Sequence, residues 1–383
     1  MLCLIFMMNV TNDIYCLITM LDYNKLRMKI KCKNILLLSV VALFLSCSSD
    51  GEKYACIETK RIDEFPTEMY LSNPENVPLD MQGCVDILAV DSLLINKMGT
   101  GTYFWKVYSL NSHRFLGRLL RKGHGRNEIA NMPSSELLEK TDSALLCNFW
   151  DSSSQSYIKC NLTKSLECGQ EYFDGQTKCS YQDGICNICQ LDDTSFFVVS
   201  NHQYSGIVRA LIKGDIKQEI QGLGNLNDYS TVDFSILSAT RCINKKKGLV
   251  AEAMLRLNQI NLYSFYGKEK SVSIAIDGEL QKVQSVVGKP SKMRKKYFGA
   301  IKGYDNCFIA LYYNESLIDY FTDKVKESDL LCFDWDGNPL LKVKVSGQVT
   351  NFFIYNKKIY VFSNSGKLEK LEAYPLGDIA IYI

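Results

Sequence analysis

Thr141-Asp142-Ser143 followed by Ala144-Leu145-Leu146-Cys147-Asn148-Phe149-Trp150 is a tight polar turn running into an almost unbroken apolar strand, and the chain writes this unit six times. The other copies are Asp91-Ser92 before LLINKM (93–98), Asp192-Asp193-Thr194 before SFFVVSN (195–201) and Asn244-Lys245-Lys246-Lys247 before GLVAEAM (248–254). Tyr304-Asp305-Asn306 before CFIALYYN (307–314) and Asn356-Lys357-Lys358 before IYVFSN (359–364) complete the set. Measured from Asp91, Asp142, Asp193, Lys245, Asp305 and Lys357, the intervals are 51, 51, 52, 60 and 52 residues.

A half-apolar strand precedes each turn. A third strand follows each apolar one, as in KVYSLN (106–111), YIKCNL (157–162), GIVRALI (206–212), INLYSFY (260–266), LLCFDWD (330–336) and KLEKLEAY (367–374). Turns such as Lys213-Gly214-Asp215 and Asp336-Gly337 then lead to a fourth strand, for instance PLLKVKV (339–345); Asp-Gly between apolar runs is a strong hairpin signal. Four strands every fifty or so residues is the size of a propeller blade. The expectation is an all-β chain, a six-bladed β-propeller of four-stranded blades over residues 81–383. The sixth unit keeps only Ile379–Ile383 for its last strand, so that tail or the segment Ile57–Ile62 is expected to close the ring, because an open propeller edge invites aggregation.

With 383 residues, 46% of them apolar and 22% charged, the chain can bury a large core and lies far from a disordered composition. Its net charge is +2, and residues 1–46 hold five bases against two acids, which leaves a nearly neutral body of 39 bases and 40 acids. Nucleic acid is therefore not an expected partner, since phosphate binding needs a concentrated basic face. One basic run does exist, GKPSKMRKKY (288–297), inside the long interval. It reads as a solvated loop, with a phosphate or lipid-headgroup contact as the alternative.

The address lies upstream. Lys29, Lys31 and Lys33 precede an apolar stretch from Ile35 to Leu45 that is too short to span a bilayer, and Ser46-Cys47 follows. Residues 28–46 thus read as an export signal, and residues 1–27 as an upstream extension of the reading frame. Residues 47–80 read as an anchor and linker with a possible ring-closing strand. Leu-Phe-Leu-Ser-Cys, ending at Cys47, resembles the lipobox of bacterial lipoproteins, in which that cysteine carries the lipid; Phe44 departs from the usual smaller aliphatic residue.

The stretch RFLGRLLRKGHGRNEIANM (114–132) resembles a segment of the six-bladed β-propeller lipoproteins of Bacteroides-type bacteria, described as TolB-like. In the family's Gly-Arg-Gly-Pro-Gly-Glu pattern, Gly123, Gly125 and Glu128 keep their places, while His124, Arg126 and Asn127 differ. The resemblance implies the propeller fold and a lipid-anchored place in the bacterial cell envelope, on the periplasmic or cell-surface face of the outer membrane. It implies no reaction. The three matched residues read as a structural loop: glycines permit positive φ, and Glu128 can accept backbone N–H groups.

Catalytic signatures are missing: His113, His124 and His202 are the only histidines, without a zinc-protease, nucleophile-elbow or phosphate-loop pattern. Eleven cysteines follow Cys47, most of them inside apolar runs where a thiol behaves as a small hydrophobe. The C-x-x-C at Cys186 and Cys189 lacks a second pair at zinc spacing, which leaves buried thiols, or a local disulfide among Cys160, Cys168, Cys179, Cys186 and Cys189. Trp105, Trp150 and Trp335 fall on repeat strands and read as packing residues.

The links between second and third strands recur at one phase and should share a rim. Asp151, Asn201, His202, Arg256, Glu315 and Asn364 are the candidate ligand-binding residues there. The expectation is a monomeric, non-enzymatic binding or scaffolding module, without cofactor, held to the membrane by its lipid and engaging a protein, peptide or glycan. The alternative is a metal-dependent hydrolase or lactonase-like propeller with a divalent cation among Asp151, Asn201, Glu315 and Asn364.

Overall fold

The six repeats become six sheets in the computed structural model, which describes residues 53–125, 127–179, 184–202, 206–229, 233–267, 270–364 and 369–377. The export signal, Cys47 and the tail Ile379–Ile383 lie outside the described residues. Blade 1 runs through Cys84–Val90, Leu93–Met98, Tyr103–Ser109 and Phe115–Arg121, each antiparallel to the last. Blade 2 is Ser134–Lys140, Leu145–Asp151, Ser156–Asn161 and Phe173–Lys178; blade 3 is Gly184–Gln190, Ser195–His202, Gly206–Lys213 and Ile216–Glu219. Blade 4 is Ala239–Asn244, Leu249–Met254, Gln259–Ser264 and Ser271–Ile276. Blade 5 is Lys295–Gly303, Cys307–Ser316, Glu327–Asp334 and Pro339–Ser346, and blade 6 begins with Asn351–Tyr355, Lys358–Asn364 and Glu369–Pro375.

The second strands are so apolar because both of their faces are covered, one by each neighbouring blade. Side chains alternate across a strand, so Phe196 and Val198 pack against Trp150 and Tyr157 of blade 2, whereas Phe197 and Val199 pack against Val250 and Tyr263 of blade 4. Phe308 and Ala310 likewise face blade 4, and Cys307, Ile309 and Leu311 face blade 6. The core is thus a set of apolar wedges between blades. Trp105, Trp150 and Trp335 are all buried in them. All eleven cysteines after Cys47 are free thiols, eight of them buried.

The N-terminal segment is a strap around the outside. Glu58–Ile62 does not close the ring; it lies parallel to Ser271–Ile276 as a fifth strand on blade 4. Glu68–Tyr70 does the same on blade 5, and Glu75–Asn76 becomes the outermost strand of blade 6. Three strand edges that would otherwise be bare are covered in passing. The seam between blades 6 and 1 is closed by side chains: Asn351 donates to Asp86 at 2.6 Å and to the Ile87 carbonyl at 3.1 Å, and Asn364 donates to the Cys84 carbonyl at 3.0 Å. Phe353, Tyr360 and Phe362 pack there against Ile87, Leu94 and Tyr108.

Two helical pieces interrupt the repeat where it matters later. The long interval between blades 4 and 5 is filled by the short helix Val283–Val287 and the turn Ser291–Met293. The helix Leu317–Phe321 follows the second strand of blade 5, capped by Ser316, which accepts from the Asp319 N–H at 3.1 Å. Among the described residues no helix is long and apolar enough to cross a membrane.

Candidate functional site: the central channel

The first strand of every blade lines one cavity of about 540 Å³ on the axis of the ring. Each contributes a polar or charged side chain: Asp86, Glu136, Asn187, Arg241, Lys302 and Asn351 from blades 1 to 6 in order. Pairing slips by one residue or more beside Asp86, Glu136 and Asn187, and such bulges re-aim side chains next to functional sites.

The charges are matched through the neighbouring second strands, because residues directly opposite on an antiparallel ladder share a face. Lys97, opposite Asp86, is buried and reaches Glu136 at 2.5 Å and Asp86 at 3.7 Å. Burial works against its ammonium charge, but Glu136 and Asp86 outweigh that and hold its pKa above the ordinary value. Glu252, opposite Arg241, takes a 2.7 Å bond from it and is itself fully buried.

Glu252 is the centre of a larger network. Arg209 of blade 3, also fully buried, donates to both of its carboxylate oxygens at 3.0 and 2.7 Å, and Tyr263 donates at 2.9 Å. Arg209 further donates to the Leu226 carbonyl at 2.8 Å and to the hydroxyl of Tyr54 on the strap. Burial alone would raise the Glu252 pKa; Arg209 and Arg241 reverse this and bring it down to about 2.

Lys302 differs from the other channel charges. No carboxylate among the described residues lies within ion-pairing distance of it, and burial lowers its pKa while Asp86 and Glu136 pull the other way. The connected set therefore holds three acids, Asp86, Glu136 and Glu252, against four bases, Lys97, Arg209, Arg241 and Lys302. One positive charge in the channel is left over, in a confined space where an anion is the natural complement. Glu139 and Lys245, near the turns that end the first strands of blades 2 and 4, pair with each other at 2.6 Å and do not change the balance.

None of the six rim candidates lines this cavity. All lie where second strands end or lead into third strands, as their positions at the ends of Leu145–Asp151, Ser195–His202, Leu249–Met254, Cys307–Ser316 and Lys358–Asn364 require. Asp151 is engaged with its own turn, accepting from the Ser153 and Ser154 N–H groups at 3.1 and 3.2 Å. Asn364 serves the ring seam. Asn201 Oδ1 and Arg256 Nη1 are buried without a hydrogen-bond partner among the described residues. His202 ends its strand opposite Gly206, and Glu315 stands opposite Lys296 on the blade 5 ladder. Among the described residues no group of three or more His, Cys, Asp and Glu side chains gathers as a metal site.

The glycine loop folds on itself. Glu128 accepts the Gly125 N–H at 2.9 Å and pairs with Arg121 at 3.3 Å, while Gly123 donates to the Ile129 carbonyl at 3.1 Å. A Cβ on Gly123 would stand 1.9 Å from the Glu128 carboxylate. His124 is exposed beside this loop.

The channel residues did leave a signal in the sequence: a polar residue recurs on each half-apolar first strand, among other polar positions, at intervals of 50, 51, 54, 61 and 49. On a strand of mixed polarity that signal looks like ordinary solvent exposure.

No family model matches the sequence, and no curated protein matches it either. Among solved structures, a member of the DUF4221 family from Bacteroides vulgatus is similar at 10% identity and a TM-score of 0.45, over 79% of this chain and 96% of that one. A candidate exported protein of Bacteroides fragilis is similar at 9% identity and a TM-score of 0.44, over 82% and 98%. A protein of unknown function from Desulfotomaculum acetoxidans gives 9% identity and a TM-score of 0.37, over 76% and 95%.

Proposed function

We propose that this propeller is an exported, lipid-anchored binding module, without catalytic activity of its own, that takes a carboxylate-bearing group of a peptide or glycan into its central channel. The observation that carries the reading is the unmatched Lys302, set among otherwise paired charges in a cavity of about 540 Å³. A carboxylate brought to Lys302 gains a charge-assisted hydrogen bond. Asn187 supplies an amide to hold a polar substituent nearby. The export signal and Ser46-Cys47 support the anchored address.

Calorimetric titration with galacturonate, glucuronate and short peptides with free or amidated C-termini tests this. The free acids are expected to bind, and Lys302→Met to weaken them by roughly ten- to a hundred-fold, the scale of one charged hydrogen bond of about 1.5–3 kcal/mol. Lys302→Met should leave the melting temperature no lower, because it removes an unpaired cation from a desolvated site. Equal binding of amidated peptides and neutral sugars would overturn the proposal. Anchoring is tested separately: Cys47→Ala should move the protein from the membrane to the soluble fraction, and unchanged fractionation would overturn that part.

A further inference from the structure

We propose that the rim bearing the blade 4–blade 5 link and the Leu317–Phe321 helix is a membrane-contact face, laid on anionic lipid headgroups. Three large apolar side chains are exposed there: Met293 at 61%, Ile318 at 48% and Phe321 at 73%. They form one patch, because the helix packs on the Ser291–Met293 turn and the Leu317 N–H donates to the Arg294 carbonyl at 2.8 Å. Apolar side chains flanked by lysines are the make-up of an interfacial membrane surface. Lys289 and Lys292 flank this patch and are exposed. The remaining bases of the run are engaged: Arg294 with Asp233, Lys295 with Asn314 at 2.8 Å, and Lys296 over the Tyr320 ring at 3.6 Å. Of the nearby acids, Asp319 is occupied by the Ser316 hydroxyl, Glu315 is half-buried opposite Lys296, and Asp323 faces solvent beside the exposed Lys324.

The place where the strap begins selects the lipid surface as the occupant. Lys53 bridges to Lys282, the residue that opens the Val283–Val287 helix, and pairs with Glu279 at 3.7 Å. The strap thus starts on the same link that carries Met293. Cys47 lies six residues before Lys53. Even fully extended, six residues reach only about 20 Å. A lipid on Cys47 therefore keeps this rim within a short tether of the bilayer, and a rim held so close must suit headgroups. This inference rests on the anchored reading above.

The test uses the mature chain from residue 47 with Cys47→Ser, so that binding is read without the lipid. The native tryptophans are buried, which makes an added one a clean reporter. Phe321→Trp is placed on the proposed face. Tyr266→Trp, at an exposed position in a third-to-fourth-strand turn, is placed on the other. With vesicles of brominated phosphatidylcholine and phosphatidylglycerol, an apolar rim seated about 5–10 Å into the interface should cost the Phe321→Trp reporter roughly half its emission and leave Tyr266→Trp unchanged. Lys289→Ala with Lys292→Ala should weaken vesicle binding by roughly ten- to thirty-fold, the worth of two lysines at an anionic surface. Quenching of Tyr266→Trp alone, or of neither reporter, overturns the inference. So does a blue shift of Phe321→Trp that appears without vesicles and grows with protein concentration, since it assigns the patch to a second copy. Mass spectrometry of the native N-terminal peptide separates the two claims: lipid on Cys47 without quenching retires this face alone, and quenching without lipid retires only the anchor.

Discussion

Glu252→Gln is expected to lower the free energy of unfolding by about 3–5 kcal/mol, the usual cost of breaking a buried ion network by removing one partner. The substitution keeps the shape of the side chain and removes only its charge. Arg209, fully buried, and Arg241 then face each other without a counter-ion in a wedge that also holds Tyr54 and Tyr263. Urea denaturation followed by circular dichroism measures the loss. Replacing Arg209, Arg241 and Glu252 together by apolar residues of similar volume should recover most of it, because the desolvation cost of all three charges disappears at once. The same network gives the pH dependence its sign. The folded-state pKa of Glu252 is depressed to about 2 from an ordinary value of 4.5. Its contribution is therefore complete above about pH 4.5 and is lost as the pH falls toward 2. Glu252→Gln should flatten stability across that window, and a variant as stable as wild type at pH 7 would refute the role.

Removing residues 53–76 is the second large effect expected. The deletion bares the outer strands of blades 4 and 5, takes Glu75–Asn76 from the edge of Glu369–Pro375 in blade 6, and takes Tyr54 from the Arg209 network. It also leaves a gap at Gly224, whose positive φ of 63° allows its backbone to approach the Ala55 carbonyl so closely that a Cβ would stand 2.4 Å away. Asn225 holds the strap from the same loop, accepting from the Ala55 N–H at 2.8 Å and donating to the Lys53 carbonyl at 2.6 Å. Without the strap, thermal melting should lose its cooperative transition and light scattering should rise as exposed edges pair between molecules. Tyr54→Ala alone should cost about 3–5 kcal/mol, as for other large buried aromatics. A monomeric deletion variant with an unchanged midpoint would show the strap to be dispensable.

Repetition is what made the architecture legible. A blade is a local object: its strands are neighbours in sequence, its turns announce themselves in Asp, Asn, Gly and Lys, and its second strand is mostly apolar because blades press on both sides of it. Six copies of Leu145–Trp150 and its counterparts therefore state both the strand type and the number of blades. The free, mostly buried cysteines follow from the same context, since Cys147 and Cys307 stand inside those strands and Cys332 on the third strand of blade 5.

Contacts between distant units were decided elsewhere. Where Ile57–Ile62 would go depended on which sheet edges were free, a property of the assembled ring; the chain spends the segment on blade 4, and among the described residues Glu75–Asn76 is the added strand of blade 6. Glu252 reads as one acid in GLVAEAM, and only the approach of Arg209, 43 residues away, and Arg241 makes it a buried anion with a depressed pKa. The channel shows the difference most directly. Asp86, Glu136, Asn187, Arg241, Lys302 and Asn351 are individually unremarked polar residues on half-polar strands, and a one-dimensional pattern records that a residue is polar without recording what faces it. Convergence on an axis, the pairing of Lys97 with Glu136, and the isolation of Lys302 are consequences of blade packing and ring closure, which set the distance between side chains that the chain itself keeps about forty to sixty residues apart.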